Sequence, residues 1–398
     1  MKKTFAMLPA IIALAIIAGG CPAGGEDPDF IAGTSKVASY IRTWAIPEQA
    51  RQGNSPYWNA GMIKGEYLSD LIIAFAIINV ADGYSLYIPD VQSGFNVWKE
   101  VAALKAKYPW LAVKFSIGGG SADGLAGFSP MAADPDLRSK FVANVCAWLE
   151  NYNLDGVDID WEYPVGADWS DYHIPADKVN YITLLGDLRS AIDALGGKTG
   201  KYYQLSTAIP ASTWFIEKND VKAAAAIVDA MKLMTYDYYG SWSSTTGHNT
   251  NVYLNPGDPQ KWSTDQAVQA YLAAGVPPEK INIGVPFYGQ VWKGVNKGGD
   301  NSAPGLFQPA PSFVNTYSWD DIEAQYLQSG SGYTRYWDNT AKAPWLYNGN
   351  IWVSYTDPEQ LKAITDYVKA NDLGGVFVWE YMQDKNVELL RSLAVYLK

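Results

Sequence analysis

The segment "LDGVDIDWEYP", residues 154–164, places Asp158, Asp160 and Glu162 at every second position, interleaved with Val157, Ile159 and Trp161. A period of two is the period of a β-strand, so the three acids share one face and the apolar residues the other. Valine, isoleucine and tryptophan favour a strand whose other side packs against structure. Asp155 stands at the strand entry. Neighbouring carboxylates on the acid face lie about 7 Å apart, two residues at about 3.3 Å rise each. Enclosing them is costly, because each loses hydration and raises its neighbours' pKa by like-charge repulsion. The least unfavourable state keeps a proton in the group, with Asp158 and Asp160 sharing one through a hydrogen bond. Glu162, nearest the open end, can then be a neutral acid near pH 7. A raised-pKa glutamic acid beside an ionisable aspartate is what general-acid cleavage of a glycosidic bond requires. A solvated acidic strand would not carry Val, Ile and Trp so regularly on its other face. A calcium loop would need glycine and turn chemistry inside the run.

Other chemistries find little material. The chain has only two histidines, His173 and His248, and two cysteines, Cys21 and Cys146. That disfavours a serine triad or a histidine-rich zinc site, so carboxylates and tyrosines must carry the reaction, with no metal and no cofactor. Cys146 lies in a predicted helix and reads as packing. The net charge of −11 argues against nucleic acid, whose phosphates need a basic surface. Aromatic residues make up 14% of the chain, a weak hint of surfaces that stack on flat ligands.

The acid strand is one of eight short apolar runs, at 36–41, 68–78, 111–119, 155–163, 203–209, 230–238, 280–289 and 374–381. Helical patterns lie between them. "DLRSKFVANVCAWLENY" puts Leu137, Phe141, Val145 and Trp148 on one face, and "DKVNYITLLGDLRSAIDAL" does so with Val179, Ile182, Leu185, Leu188 and Ile192. Asp357–Pro358–Glu359 reads as a helix start. Strands alternating with helices imply a parallel sheet, and eight strands close a (β/α)8 TIM barrel, an α/β fold whose active sites lie at the strands' C-terminal ends. A doubly wound open sheet is the alternative. The seventh and eighth runs start far apart, at 280 and 374, and residues 290–355 between them, rich in Gly, Pro, Tyr and Trp, are expected to form a small inserted α+β subdomain.

At the N-terminus, Lys2 and Lys3 precede the apolar run "FAMLPAIIALAIIAGG", which reads as a signal peptide over 1–20 and is short for a membrane span. "AGGC" resembles a bacterial lipoprotein box, which would make Cys21 the lipidated first residue. Ala18 stands where that box usually has leucine, and an ordinary signal peptide cut nearby is the alternative. Residues 21–34 then form a tether, and 35–398 the catalytic barrel. The expected protein is exported, lipid-anchored or extracellular, and monomeric.

"DGVDIDWE" resembles the D-x-x-D-x-D-x-E signature of the family-18 glycoside hydrolases, the chitinase family, with Asp155, Asp158, Asp160 and Glu162 in its four places. "SIGGG" (116–120) is similar to the family's S-x-G-G, "LMTYDYYGSW" (233–242) to its M-x-Y-D strand, "GVPFYG" (284–289) to its seventh strand and "GGVFVWEY" (374–381) to its eighth. "GYTRYWDNTAKAPWLYN" resembles the chitinase insertion domain.

The resemblance implies a retaining, substrate-assisted hydrolysis of β-1,4-N-acetylglucosamine linkages in chitin or chitooligosaccharides. Glu162 would protonate the leaving oxygen while the sugar's own acetamido carbonyl attacks, giving an oxazolinium ion. Asp160 would turn to hold the acetamido N–H, and Asp158 would take over the shared proton, hydrogen-bonded by Ser116 and Tyr40. Tyr236 would orient the acetamido oxygen. Trp379 would floor the reacting subsite and Asp237 would bind sugar hydroxyls. Met234, Tyr288 and Phe75 would shape the pocket, with Trp242 on the leaving-group side. Gly118 and Gly119 would let backbone approach the pocket. Two positions depart from the family: Gly120 stands where many relatives have tryptophan, and Gln290 where an arginine is frequent. Both bear on chain-length preference. Two other readings are a hydrolase of another N-acetylated glycan (the N-glycan core or peptidoglycan) and a non-catalytic chitin-binding lectin, which would be expected to lack Glu162.

Overall fold

The computed structural model describes residues 36–45, 57–89, 95–166 and 172–398. The predicted signal peptide, Cys21 and the tether lie outside them.

Among the described residues there are fourteen strands: β1 (Lys36–Arg42), β2 (Asp70–Asn79), β3 (Ser85–Tyr87), β4 (Ala112–Gly118), β5 (Gly156–Asp160), β6 (Gln204–Pro210), β7 (Ala230–Met234), β8 (Ile281–Pro286), β9 (Tyr288–Lys293), β10 (Ser312–Ser318), β11 (Thr334–Asp338), β12 (Ala343–Tyr347), β13 (Ile351–Ser354) and β14 (Gly375–Trp379). Eight of them, β1, β2, β4, β5, β6, β7, β8 and β14, pair in parallel in that order, and β1 meets β14 to close the ring. This is a (β/α)8 barrel. The short β3 runs antiparallel along the far end of β2.

Alternation along each strand sorts side chains into two layers. On β1, Val37 and Ile41 join the large core between barrel and helices, while Ala38 and Tyr40 face inward. On β5, Val157, Ile159 and Trp161 are buried outward; the Trp161 ring lies flat on Phe128, with centroids 5.0 Å apart, and edge-on to Tyr181. Burying those three side chains contributes on the order of 5–8 kcal/mol by area and turns the carboxylates into the lumen.

The lumen differs from the branched aliphatic layers usual in such barrels. Lys114 on β4 pairs with Asp70 on β2 at 2.7 Å, and Lys232 on β7 pairs with Asp158 on β5 at 2.7 Å, all four buried. Burial alone would raise the Asp70 pKa, but Lys114 and Lys36 hold it down at about 2.

The outer helices follow the sequence pattern with one rotation. In Pro135–Asn151, started by the Asp134 side chain, Phe141, Val145 and Leu149 are buried. In Asp177–Thr199 the buried face is Tyr181, Leu184, Leu185, Leu188, Ile192 and Leu195; Val179, expected on it, is 67% exposed. Val179 stands two residues before Tyr181, about 200° round the helix from it, and so falls on the solvent face. The Asp357 carboxylate caps helix Pro358–Ala370 by accepting the Gln360 N–H at 3.0 Å. Among the described residues no helix is long and apolar enough to cross a membrane.

The seventh apolar run proves to be two strands. β8 belongs to the barrel, and β9 turns away after Phe287 into a separate five-stranded antiparallel sheet ordered β10-β9-β13-β12-β11. With helix Trp319–Tyr326 this sheet forms the inserted α+β subdomain between β8 and β14, around an aromatic cluster in which Trp292, Trp345 and Trp352 meet Tyr238 and Tyr239 of the connection after β7.

Candidate active site

The signature residues separate by depth. Asp155, at the foot of β5, accepts the Val113 N–H at 2.7 Å and is paired with Lys105 and, at 2.6 Å, with Lys201. It knots β5 to its neighbours at the end of the barrel away from Glu162. Asp158 lies fully buried mid-lumen. Its Oδ2 accepts from the Tyr40 hydroxyl at 2.7 Å and Ser116 at 2.8 Å; its Oδ1 accepts from Ser206 at 2.6 Å and Lys232 at 2.7 Å. Burial pushes its pKa up, but Lys232 and the hydroxyl donors outweigh that, and the carboxyl ends below its ordinary range.

One turn of the pleat higher, Asp160 is only 4% exposed, and its Oδ1 is buried with no hydrogen-bond partner. Burial first, then repulsion from Glu162 and Asp158, drives its pKa well up against the opposing pull of Lys232. Asp158, by contrast, is ringed by donors. A carboxylate has about four acceptor sites, and donors already occupy Asp158's.

Glu162 lies just past the strand, half-buried at the cleft. Burial raises its pKa to about 7, with a hydrogen bond from Tyr163 pulling down and the charge of Asp237 pushing up. Its carboxyl holds a proton more tightly than an ordinary glutamate does. Asp237, held in the left-handed region at φ 57°, accepts from the Tyr288 hydroxyl at 2.8 Å and from Gln290 Nε2 at 3.2 Å. Burial raises its pKa, and those two neutral donors only partly offset it. Gln290, at the place of the frequent arginine, is itself buried and accepts from Thr316 at 2.7 Å.

Aromatic rings line the lumen mouth. Trp379, at the end of β14, stacks on Phe75 with centroids 5.5 Å apart and lies 5.6 Å from the Tyr40 ring. Tyr236 stands between Phe377 and Tyr288, with Met234 against the same cluster. A Cβ on Gly284 would come within 2.5 Å of the Tyr236 ring, so the β8 glycine makes room for it. Gly118 and Gly119, at φ 119° and 87°, serve a related purpose. A Cβ on Gly118 would lie 2.1 Å from the Asp160 carbonyl oxygen, and one on Gly119 would strike the Phe75 ring. They let the end of β4 press on the acid strand itself, and Gly119 N–H donates to the Asp160 carbonyl at 2.9 Å.

Two hollows open at this face. One, of about 710 Å³, runs from Glu162 and Tyr236 past Trp214 to Trp242 and Trp262. Trp242, 63% exposed, flanks it. The other, of about 360 Å³, lies between Trp44, Phe75 and Gly120–Ser121. Gly120 leaves its wall open, 3.3 Å from Glu162 where a Cβ would stand. Sequence reasoning missed Lys232, Ser206, Tyr163, Trp44, Trp214 and Trp262. The signal for Lys232 was present, since the period of two along β7 puts Lys232, Met234 and Tyr236 on one face. Trp44 and Trp214 follow strand ends, where a barrel places its site; Trp262 lies in a long connection with no periodic cue.

A profile described as Glycosyl hydrolases family 18 matches residues 36–384. The chain belongs to glycosyl hydrolase family 18. This family-18 chain is 37% identical over 308 residues to "Chitinase A1" of Niallia circulans, covering 73% of this chain and 43% of that protein. It is 32% identical over 367 residues to a "Probable endochitinase" of Caenorhabditis elegans, covering 88% and 57%. The chain thus spans about half the length of these curated relatives. Among solved structures, a family-18 N-acetylglucosaminidase from Paenibacillus barengoltzii superposes with TM-score 0.78 at 32% identity, covering 91% of this chain and 100% of that one. Chitinase ChiA74 from Bacillus thuringiensis gives 0.81 at 30% identity, covering 91% and 69%.

Proposed function

We propose that this chain is a retaining chitinase that hydrolyses β-1,4-N-acetylglucosamine linkages with the help of the substrate's own acetamido group. The observation that carries this reading is the pair at the top of β5: Glu162 with a pKa near 7, beside Asp160 with an unpartnered buried oxygen, at a cleft walled by indole rings. Glu162 donates its proton to the bridging oxygen as that bond breaks. The acetamido carbonyl oxygen closes on the anomeric carbon from the opposite face, forming an oxazolinium ion. Asp160 turns to accept the acetamido N–H and balances the ring's positive charge. Tyr236 donates to the acetamido oxygen and aligns it. Glu162, now a carboxylate, removes a proton from the water that opens the ring, so the configuration is retained. Trp379 supplies an apolar floor for the sugar's apolar face and helps exclude water.

Glu162→Gln is expected to abolish hydrolysis of chitooligosaccharides while binding survives. A variant still turning over near the wild-type rate would refute the acid assignment. Oligomers deacetylated at the reacting sugar are expected to resist cleavage, because they lack the internal nucleophile; efficient cutting there would refute the substrate-assisted route. A product profile on chitin, chitooligosaccharides and peptidoglycan discriminates the polymer reading from action on another N-acetylated glycan. Single N-acetylglucosamine units as the sole product would align the chain with the Paenibacillus glucosaminidase. Export through the N-terminal signal with lipid attachment at Cys21 completes the reading. A Cys21→Ala variant should then leave the membrane fraction and lose radiolabelled palmitate.

A further inference from the structure

Asp237 faces Glu162 from a backbone conformation that needs support. At φ 57° it lies in the left-handed region, which a residue with a Cβ adopts at a cost. Its carboxylate is anchored by Tyr288 and Gln290 of β9, but its own N–H is satisfied elsewhere, donating to the side-chain Oδ1 of Asn249 at 3.1 Å. Asn249 lies twelve residues further on, in the connection after β7, and is fully buried. It touches none of the atoms that react in the scheme above.

A backbone N–H can only donate, so the Asn249 amide must turn its oxygen to Asp237 and its nitrogen the other way. That nitrogen is buried and makes no hydrogen bond, while the amide also acts on the Tyr288 hydroxyl, the group that donates to Asp237. Leaving a buried donor unpaired is unfavourable, and an apolar residue here would avoid it, but at the expense of the acceptor for Asp237. The backbone around Asn249 is fixed independently of its side chain. Its N–H donates to Ser354 Oγ at 2.6 Å, at the end of β13 in the inserted subdomain, and its carbonyl accepts the Tyr238 N–H at 3.2 Å. On either side, His248 Nε2 lies 3.2 Å from Asp338 Oδ2 and the Thr250 hydroxyl donates to the Thr235 carbonyl at 2.7 Å.

We propose that Asn249 is a positioning residue for glycosidic cleavage: it holds the Asp237 backbone in its left-handed turn and so aims the Asp237 carboxylate at Glu162. Through Ser354 it makes the inserted subdomain part of the general acid's setting. The inference rests on the hydrolase reading above. The titratable and charged groups around this point are Asp160 and Glu162 along β5 and its end, Tyr163 after them, Tyr236 beside Asp237, and Tyr288 from β9, with Asp158 and Lys232 deeper in the lumen. Among them, Asp237 is the one whose backbone the Asn249 side chain binds.

The test reads the alkaline limb of kcat/KM, which follows Glu162 in the free enzyme. Asn249→Ala leaves the Asp237 N–H without its acceptor and releases the carboxylate from Glu162, so the limb is expected to move to lower pH by about half a unit or more. Its kcat is expected to fall about tenfold with KM within about threefold, because alignment at the reacting bond is lost and the sugar contacts are not. Asn249→Asp keeps an acceptor oxygen for Asp237, and its limb is expected at or above the wild-type position. In an Asp237→Asn background, Asn249→Ala is expected to add no further shift, since the charge it would release is already gone. An Asn249→Ala limb coincident with wild type overturns the proposal. So does an equal shift in both backgrounds, or a downward shift in Asn249→Asp. If Asn249→Ala fails to fold, Ser354→Ala decides: it loosens Asn249 through its backbone and is expected to lower the limb only where Asp237 is intact, and an unmoved limb overturns the proposal. Wild type and Glu162→Gln run alongside. If cleavage depends on Glu162 but the limb ignores Asn249, only this inference falls; if wild type does not cleave, or Glu162→Gln cleaves as well as wild type, the hydrolase reading falls.

Discussion

Asp237 faces Glu162 with neutral partners of its own, Tyr288 and Gln290, so its negative charge reaches the acid undiminished by a direct ion pair. Tyr163 acts the other way, stabilising the ionised form of Glu162 by hydrogen bonding. These neighbours make the position of the acid tunable. Wild-type activity should fall on the alkaline side near pH 7, as Glu162 loses its proton. Asp237→Asn removes the repelling charge and should shift that limb to lower pH. Gln290→Arg should do the same by neutralising Asp237 in place. Tyr163→Phe should shift it upward. The measurement is kcat/KM against pH on a soluble chromogenic chitooligosaccharide, read for the position of the limb and not for the size of the maximum. Movement of both Asp237→Asn and Tyr163→Phe in one direction would contradict the assignment.

At the scale of the element, the acid strand is held from both sides. Behind it, Trp161 packs on Phe128 and Tyr181; in front, Gly118 and Gly119 bring β4 into contact with the Asp160 carbonyl. Trp161→Ala is expected to cost about 3–5 kcal/mol, the usual price of deleting a buried tryptophan, measured by urea denaturation. Because Trp161 touches no reacting group, a variant that loses activity without that loss of stability would show that the strand is positioned some other way. The same strand shows how much was legible beforehand. Strict alternation of two chemistries in β5 fixes which face is inward, so the acids, Glu162 and the packing of Val157, Ile159 and Trp161 could be read directly. The seventh apolar run carried no such contrast: β8 and the first residues of β9 read as one apolar stretch, and the break between them at Phe287 is a change of sheet that local sequence does not record. Lys232 stood on the readable face of β7, but an isolated lysine in an apolar strand gains meaning only when the barrel closes and brings Asp158 opposite. Asp155 illustrates the converse. It belongs to the signature by spacing, yet its depth below the lumen makes it a clamp on Lys105 and Lys201.

For the whole molecule, the site and the fold compete through pH. Glu162 rises from 4.5 to about 7, and away from the site burial raises Asp320 from 3.8 to about 7 and Asp384 from 3.8 to about 6. Each holds its proton more tightly when folded than when unfolded. Their contribution is therefore complete below the unfolded pKa, near 4, and is lost as pH rises through 6 to 7. Asp70 and Asp338 behave oppositely. Lys114 and Lys36 hold Asp70 at about 2 and His248 helps hold Asp338 there, each against its own burial, so their stabilisation is present above about pH 4 and lost as pH falls towards 2. The melting temperature should accordingly peak in mildly acidic solution and decline between pH 5 and pH 8. Glu162→Gln, which cannot ionise, isolates the part of that decline that belongs to catalysis. Its melting temperature should exceed wild type at pH 8 by a margin that shrinks as pH is lowered to 5. A constant offset across that range would mean that the variant acts through packing, and that the folded protein does not resist ionising the acid it uses.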